Sequence, residues 1–161
     1  AEQTEMSQLM EYKTFVDKGK GRQAPTGYKK IRCHIIYDVK HDGRHKARLV
    51  ADGHLTDIPL DSVYSGVVSI KGFRLVIFLA ELNKLGLWAT DIGNAYLEAY
   101  TSEKVYIVAG PEFSDLEGHI LIISRALYGL RSSGARWHDR FADCLRDMGF
   151  TPSKAEPDIW M

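Results

Sequence analysis

Two runs of alternating residues, 31–39 and 44–52, flank Lys40-His41-Asp42-Gly43. Alternation puts successive side chains on opposite faces of a strand, and Asp-Gly suits a tight reversal, so the pair predicts a β-hairpin. Register in such a hairpin decides which face is buried, because a one-residue slip turns every side chain over. In the second run Arg44, Lys46, Arg48 and Val50 share one face, and His45, Ala47, Leu49 and Ala51 share the other. One face is nearly all basic and the other mostly apolar. The basic face suits phosphate contact, though an ordinary solvated strand edge, where Lys is common, accounts for it more simply.

Around this hairpin the periodicity changes repeatedly. Met6, Leu9, Met10 and the Phe15/Val16 pair predict a helix over 5–17, stopped by Gly19, and 18–30 reads as a polar loop. Residues 55–68 have no clear period and carry Pro59. Ser69 caps a predicted helix from 70 to about 85, with Phe73, Val76, Ile77, Ala80, Leu82 and Leu85 facing inward and Gly86 ending it. The apolar run Leu87-Trp88-Ala89-Thr90 reads as a buried strand reaching Ile92. Further strands are predicted at 104–109, stopped by Gly110-Pro111, and at 119–124. A last helix spans 133–148 with Ser133 as its cap and Gly149 after it. Asp139, Asp143 and Asp147 form its outer stripe, and Phe141, Cys144, Leu145 and Met148 its inner one. Strands and helices in this order make an α+β pattern.

The 161 residues are enough for one domain or two small lobes. The longest apolar run, 75–80, falls far short of the ~20 residues that span a bilayer, so no membrane partner is expected. No charged-then-apolar leader precedes a cleavage site, so an intracellular, unsecreted protein is expected. The first residue is Ala1 rather than Met, which fits a processed chain or a fragment. Cys33 and Cys144 lie in apolar patterns and are expected to be buried free thiols. Zero net charge hides a segregation. Residues 18–50 hold ten Lys/Arg and two acids, +8, whereas 51–120 hold four basic residues and ten acids, −6. Such a split suits a protein that holds polyanions in one part and metal ions in another, or it is a surface dipole with no ligand.

Asp91-Ile92-Gly93-Asn94-Ala95-Tyr96 closes the predicted 87–92 strand. A carboxylate at a strand end is either a turn or cap residue or a ligand for a divalent cation. It does not stand alone. Lys46-Ala47-Arg48-Leu49-Val50-Ala51-Asp52-Gly53-His54 precedes it. Glu103-Lys104-Val105-Tyr106-Ile107, Gly110-Pro111-Glu112-Phe113, and Leu127-Tyr128-Gly129-Leu130-Arg131 with Trp137 follow it. In this order and spacing, from about Tyr28 to Met161, the chain resembles the reverse transcriptase domain of copia-type retrotransposons.

The resemblance implies the fingers and partial palm of a right-hand polymerase, with an antiparallel sheet and packed helices. It divides the chain into an N-terminal helix and linker (1–30), a fingers-like hairpin and helix (31–87) and a partial palm (88–161). It implies RNA-directed DNA polymerisation, an attack of a primer hydroxyl on the α-phosphate of a dNTP on an RNA or DNA template. Two Mg²⁺ (or Mn²⁺) ions ~3.5–4 Å apart assist that attack. Asp91 is then a metal ligand, with the Ile92 carbonyl a further one. Lys46 and Arg48 bind the triphosphate. Tyr96 lies under the sugar and excludes a 2′-hydroxyl. Gly129 allows close backbone approach and Arg131 meets phosphate near the nascent pair. Primer–template and the remaining polyprotein segments (the rest of the palm, thumb and RNase H) are the implied partners.

Two departures qualify the resemblance. Arg131-Ser132-Ser133-Gly134-Ala135-Arg136 replaces the family's usual Lys-Gln-Ser-Pro-Arg, losing its Gln and Pro. The family's adjacent Asp pair, which completes the metal site on a further hairpin, occurs nowhere in the chain. One carboxylate does not hold two dications, so these residues alone are not expected to polymerise DNA, and a palm cut through its sheet should expose an unpaired edge. The alternative expectation is a nucleic-acid-binding remnant without catalysis.

Overall fold

In the computed structural model the hairpin forms as its alternation requires. Strands β3 (Cys33–Val39) and β4 (His45–Ala51) pair antiparallel, with Cys33 opposite Ala51 and Val39 opposite His45. Gly43 takes φ +80° at the reversal, and the Asp42 carboxylate accepts both the backbone N–H and the guanidinium of Arg44. Ala47, Leu49 and Ala51 are buried, and Lys46, Arg48 and Val50 are half-buried on the opposite face. The structure describes residues 1–56, 63 and 65–161; the expectation of an aperiodic stretch at Pro59 falls outside them. The chain divides into two compact units, Ala1–Tyr64 with Asn94–Trp137, and Ser65–Gly93 with His138–Met161.

The first unit holds the main core. Helix α1 (Glu2–Glu11) is followed by strand β1 (Phe15–Lys20), then the short β2 (Lys29–Lys30). The helix expected over 5–17 therefore ends early. Lys13 turns left-handed at φ +52°, and Thr14 N–H closes the last turn on the Leu9 carbonyl at 3.0 Å. Phe15 and Val16 then pair with Ile123 and Ile122. An aromatic and a β-branched residue gain more from that ladder than from a further helical turn. Part of the predicted 18–30 loop is likewise strand.

Strands β5 (Val105–Val108) and β6 (His119–Ile123) complete a four-stranded sheet of order β1-β6-β5-β2. Its β1/β6 and β6/β5 pairs are antiparallel, but β2 runs parallel to β5, so the sheet is mixed rather than wholly antiparallel. Leu9, Ile31, Leu49, Leu97, Val105, Ile107, Leu121, Ile123, Leu127 and Leu130 meet in one apolar cluster. Helix α1 also covers β4, where the Leu49 N–H donates to the Glu5 carboxylate at 3.1 Å. That bond satisfies a backbone group that an open strand edge would leave to solvent.

The second unit holds helix α2 (Ile70–Leu82) and most of helix α3 (Ser133–Asp147). Ser69 caps α2 as expected, its hydroxyl accepting the Gly72 N–H at 3.0 Å. The helix stops before Gly86, with Lys84 left-handed at φ +54°. The inward face predicted for it is not found. Of its residues only Gly72 and Ala80 are buried, while Phe73, Val76, Ile77 and Leu82, and Leu85 beyond it, are exposed. Apolar side chains surround this helix, and the described residues of its unit supply no second layer to cover them. The 87–92 stretch is irregular and exposed, with Trp88 97% accessible, so the predicted buried strand is absent. An apolar run becomes a strand only with a ladder partner, and it has none among the described residues.

In α3 the Asp stripe is exposed as expected, but Phe141, Cys144 and Met148 are exposed too, and Ala142 is the buried residue of that turn. Of the two thiols expected to be buried, only Cys33 is substantially enclosed. No helix among the described residues is long and apolar enough to cross a membrane.

Candidate functional site

Strand β4 meets the Tyr128-Gly129 turn backbone to backbone. The Ala51 N–H donates to the Tyr128 carbonyl at 2.7 Å. Gly129 sits at φ +90°, and a Cβ there would lie 2.0 Å from the Ala51 carbonyl oxygen and 2.8 Å from Val50 Cγ1. A Cβ on Gly53 would lie 2.1 Å from the Gly129 carbonyl oxygen. The two glycines interlock, and no larger residue fits either contact. The close backbone approach expected at Gly129 is made to β4. Arg131 secures the same joint, with Nε donating to the Gly53 carbonyl at 3.0 Å and Nη2 to the His54 carbonyl at 3.2 Å.

Glu103 is a second fastening that sequence reasoning quoted in a motif but gave no role. Its carboxylate accepts the Ser132 N–H at 2.9 Å, the Ser132 hydroxyl at 2.7 Å and the Thr56 hydroxyl at 3.1 Å. It thereby places a negative charge just before α3, where the helix dipole favours one. Ser133 does not act as the expected cap: its hydroxyl donates to the Leu127 carbonyl at 2.6 Å and so ties the helix start to the preceding turn. Asp52, largely buried, holds Arg32 at 3.3 Å and His34 at 3.0 Å. Trp137 is half-buried.

On this joint rests a group of three side chains. The Arg48 guanidinium carbon lies 5.2 Å from the centre of the Tyr128 ring, within cation–π range. The Tyr96 and Tyr128 rings lie 4.8 Å apart at 48°. Tyr96 sits in a 3-10 turn (Ala95–Glu98) that follows Asn94, itself left-handed at φ +52°. The Arg48 Nε–H is buried and has no hydrogen-bond partner among the described residues. Such a donor costs about 1–3 kcal/mol. Lys46, half-buried two residues earlier on the same face, lies across the ladder from Asp38. The structure thus groups Lys46, Arg48, Tyr96, Gly129 and Arg131 in the first unit.

Asp91 and Ile92 belong to the second unit, exposed on its irregular segment. No three His, Cys, Asp or Glu among the described residues are grouped to hold a metal ion. A two-ion centre wants several hard oxygen ligands, so the donors present do not complete one. Among the described residues, Cys33 is the titratable group pushed far from its ordinary range. Burial, with the nearby Asp52 and Glu112 charges, lifts its thiol to about 12, so it stays protonated and unreactive.

Comparison with known proteins places this arrangement. The family model described as reverse transcriptase (RNA-dependent DNA polymerase) matches residues 13–161. The chain is 32% identical over 144 residues to the transposon Ty1-BL Gag-Pol polyprotein of Saccharomyces cerevisiae, covering 88% of this chain and 8% of that one. The Ty1-NL2 polyprotein of the same yeast matches at the same identity and coverage, and Ty1-DR4 at 31% with 9% of its length covered. The chain therefore spans under a tenth of the curated relatives it matches. No solved structure matches it. With a family match running through nearly the whole chain, this protein belongs to the reverse transcriptase (RNA-dependent DNA polymerase) family, in its copia-type branch.

Proposed function

We propose that this chain forms the incoming-nucleotide side of an RNA-directed DNA polymerase carried in a retrotransposon Gag-Pol polyprotein. The observation that carries the reading is the grouping of Arg48, Tyr128 and Tyr96, with Lys46 on the same strand face, in a member of this family. The β3–β4 hairpin acts as fingers and residues 88–161 as a partial palm. Lys46 and Arg48 neutralise the triphosphate, Lys as a point charge and Arg through its fork of donors. Tyr96 admits a deoxyribose and blocks a 2′-hydroxyl by bulk. Gly129 and Arg131 hold the turn beneath the nascent pair at fixed height against β4.

Asp91 contributes one carboxylate and Ile92 its carbonyl toward Mg²⁺ or Mn²⁺. The remaining carboxylates come from other segments of the polyprotein, along with thumb and RNase H. Primer–template and dNTP are the substrates, and the setting is intracellular.

The test is primer extension on an RNA template by the complete reading frame that contains this chain, with Asp91→Ala beside it. Loss of extension to background in the variant, with primer–template binding retained, supports the reading. Equal extension by variant and parent rejects Asp91 as a metal ligand. A parent that binds primer–template but never extends it leaves the non-catalytic, nucleic-acid-binding reading in its place.

A further inference from the structure

We infer that Tyr128 is a positioning residue that couples the triphosphate contact at Arg48 to the sugar contact at Tyr96, and so shares in discriminating deoxy- from ribonucleotides. The inference rests on the reading of Arg48 and Tyr96 just proposed. The Tyr128 ring lies against both groups, 5.2 Å from the Arg48 guanidinium carbon and 4.8 Å from the Tyr96 ring centre. Its backbone does not drift: the carbonyl accepts the Ala51 N–H at 2.7 Å, and the next residue, Gly129, is wedged against Ala51. The ring is therefore fixed to the same strand that carries Lys46 and Arg48.

How Arg48 is held also matters. An arginine locked to a carboxylate must surrender charge-assisted hydrogen bonds before it can reach a phosphate. Arg48 lies against a ring instead, and its buried Nε–H has no acceptor among the described residues. Its face can stay on the ring while its edge turns to a phosphate, so binding satisfies a stranded donor without releasing the guanidinium. Tyr128 thus holds the guanidinium ready without competing for its hydrogen-bonding edge. The same ring limits how far Tyr96 can swing away from a bulkier ribose.

Equilibrium dialysis of the complete reading frame that contains this chain with labelled dGTP or GTP, each with Mg²⁺, tests this on wild type, Tyr128→Phe, Tyr128→Leu and Arg48→Ala. Tyr128 is 38% exposed, so its truncation opens no core cavity. Phe keeps the ring and should keep both affinity and the preference for dGTP. Leu should weaken dGTP binding about 2- to 5-fold, the size of an exposed-to-partly-buried cation–π contact, and shrink the dGTP/GTP ratio. A Leu variant with wild-type affinity and ratio, while Arg48→Ala loses binding, overturns the role of Tyr128 and leaves the nucleotide site standing. No binding by wild type at millimolar dGTP, or undiminished binding by Arg48→Ala, overturns the nucleotide site itself.

Discussion

Replacing Gly129 with Ala should destabilise the chain far more than a glycine substitution of the same backbone class elsewhere. Two separate terms act at position 129. A residue with a Cβ in the left-handed region costs about 1–2 kcal/mol. The added Cβ would also meet the Ala51 carbonyl oxygen at 2.0 Å and Val50 Cγ1 at 2.8 Å, both far inside contact distance. Relieving that clash requires the turn to lift off β4, which loses the Ala51–Tyr128 hydrogen bond, worth about 1 kcal/mol net, and loosens packing around the buried Leu49 and Leu127. With on the order of a further 1 kcal/mol for the loosened packing, the sum is about 3–4 kcal/mol, a large part of the ~5–15 kcal/mol that holds a typical domain together.

Gly21 isolates the first term, because it lies at φ +69° with nothing within 4 Å of its would-be Cβ. Gly53 isolates the second, since its Cβ would meet the Gly129 carbonyl at 2.1 Å and its φ is not in the left-handed region. The assay is urea unfolding of wild type, Gly21→Ala, Gly53→Ala and Gly129→Ala. With a slope of about 1.5 kcal/mol per molar urea, a ~2 kcal/mol gap between the 129 and 21 variants separates their midpoints by about 1.3 M. Equal midpoints for Gly129→Ala and Gly21→Ala would refute the interlock between the turn and β4.

Three further outcomes follow from the same structure. Of the two thiols, Cys144 should react with a thiol reagent near neutral pH while Cys33, lifted to about 12, should not; equal labelling of both in the folded chain contradicts its enclosure. Glu103→Ala should cost on the order of 1–3 kcal/mol, because the Ser132 N–H and hydroxyl lose their shared acceptor while the Thr56 hydroxyl keeps the Gly53 carbonyl at 2.7 Å, and a urea midpoint unchanged from wild type would show that the hub carries no load. Asp17 is held below its ordinary value of 3.8 by the Gly19 N–H and the His119 ring, so the unfolded chain takes up that proton first. Its contribution is complete above that value and drains as pH falls through the lowered one. Asp17→Asn should therefore flatten the loss of stability as pH falls through 3.8 and below, and an unchanged acid slope counts against the Gly19 and His119 contacts.

What the sequence disclosed, and what it concealed, follows the range of the interactions involved. The hairpin was legible because its determinants are local: alternation across seven residues a side and an Asp-Gly reversal. Ser69 was legible as a cap for the same reason. The basic face of β4 followed from parity alone. Phe15 and Val16 were misread because the partner that draws them into a strand lies over a hundred residues away at Ile122 and Ile123. The parallel pairing of β2 with β5 leaves no local trace in two lysines. The apolar residues of α2 and the 87–92 stretch promise burial by composition, yet burial needs an opposing layer, which periodicity cannot supply.

The site shows the same division. Lys46, Arg48 and Tyr96 came from motif and strand face. Tyr128 as the bridge between them, and Glu103 as a fastening, depend on distances across the fold. Gly129 and Arg131 drew attention as nucleic-acid contacts, and the structure gives both a defined place in the joint with β4.

The central claim is that the Lys46/Arg48 face with Tyr96 receives a nucleoside triphosphate. The most direct measurement is an NMR titration of the isotope-labelled chain with Mg²⁺ and dGTP, following backbone amides and the Arg48 Nε–H. The claim predicts that the Arg48 Nε–H shifts most as it gains an acceptor, and that the amides of residues 46–50, Tyr96 and Tyr128 move with it. Shifts confined to residues outside these, or an Arg48 Nε–H that ignores saturating nucleotide, would contradict it.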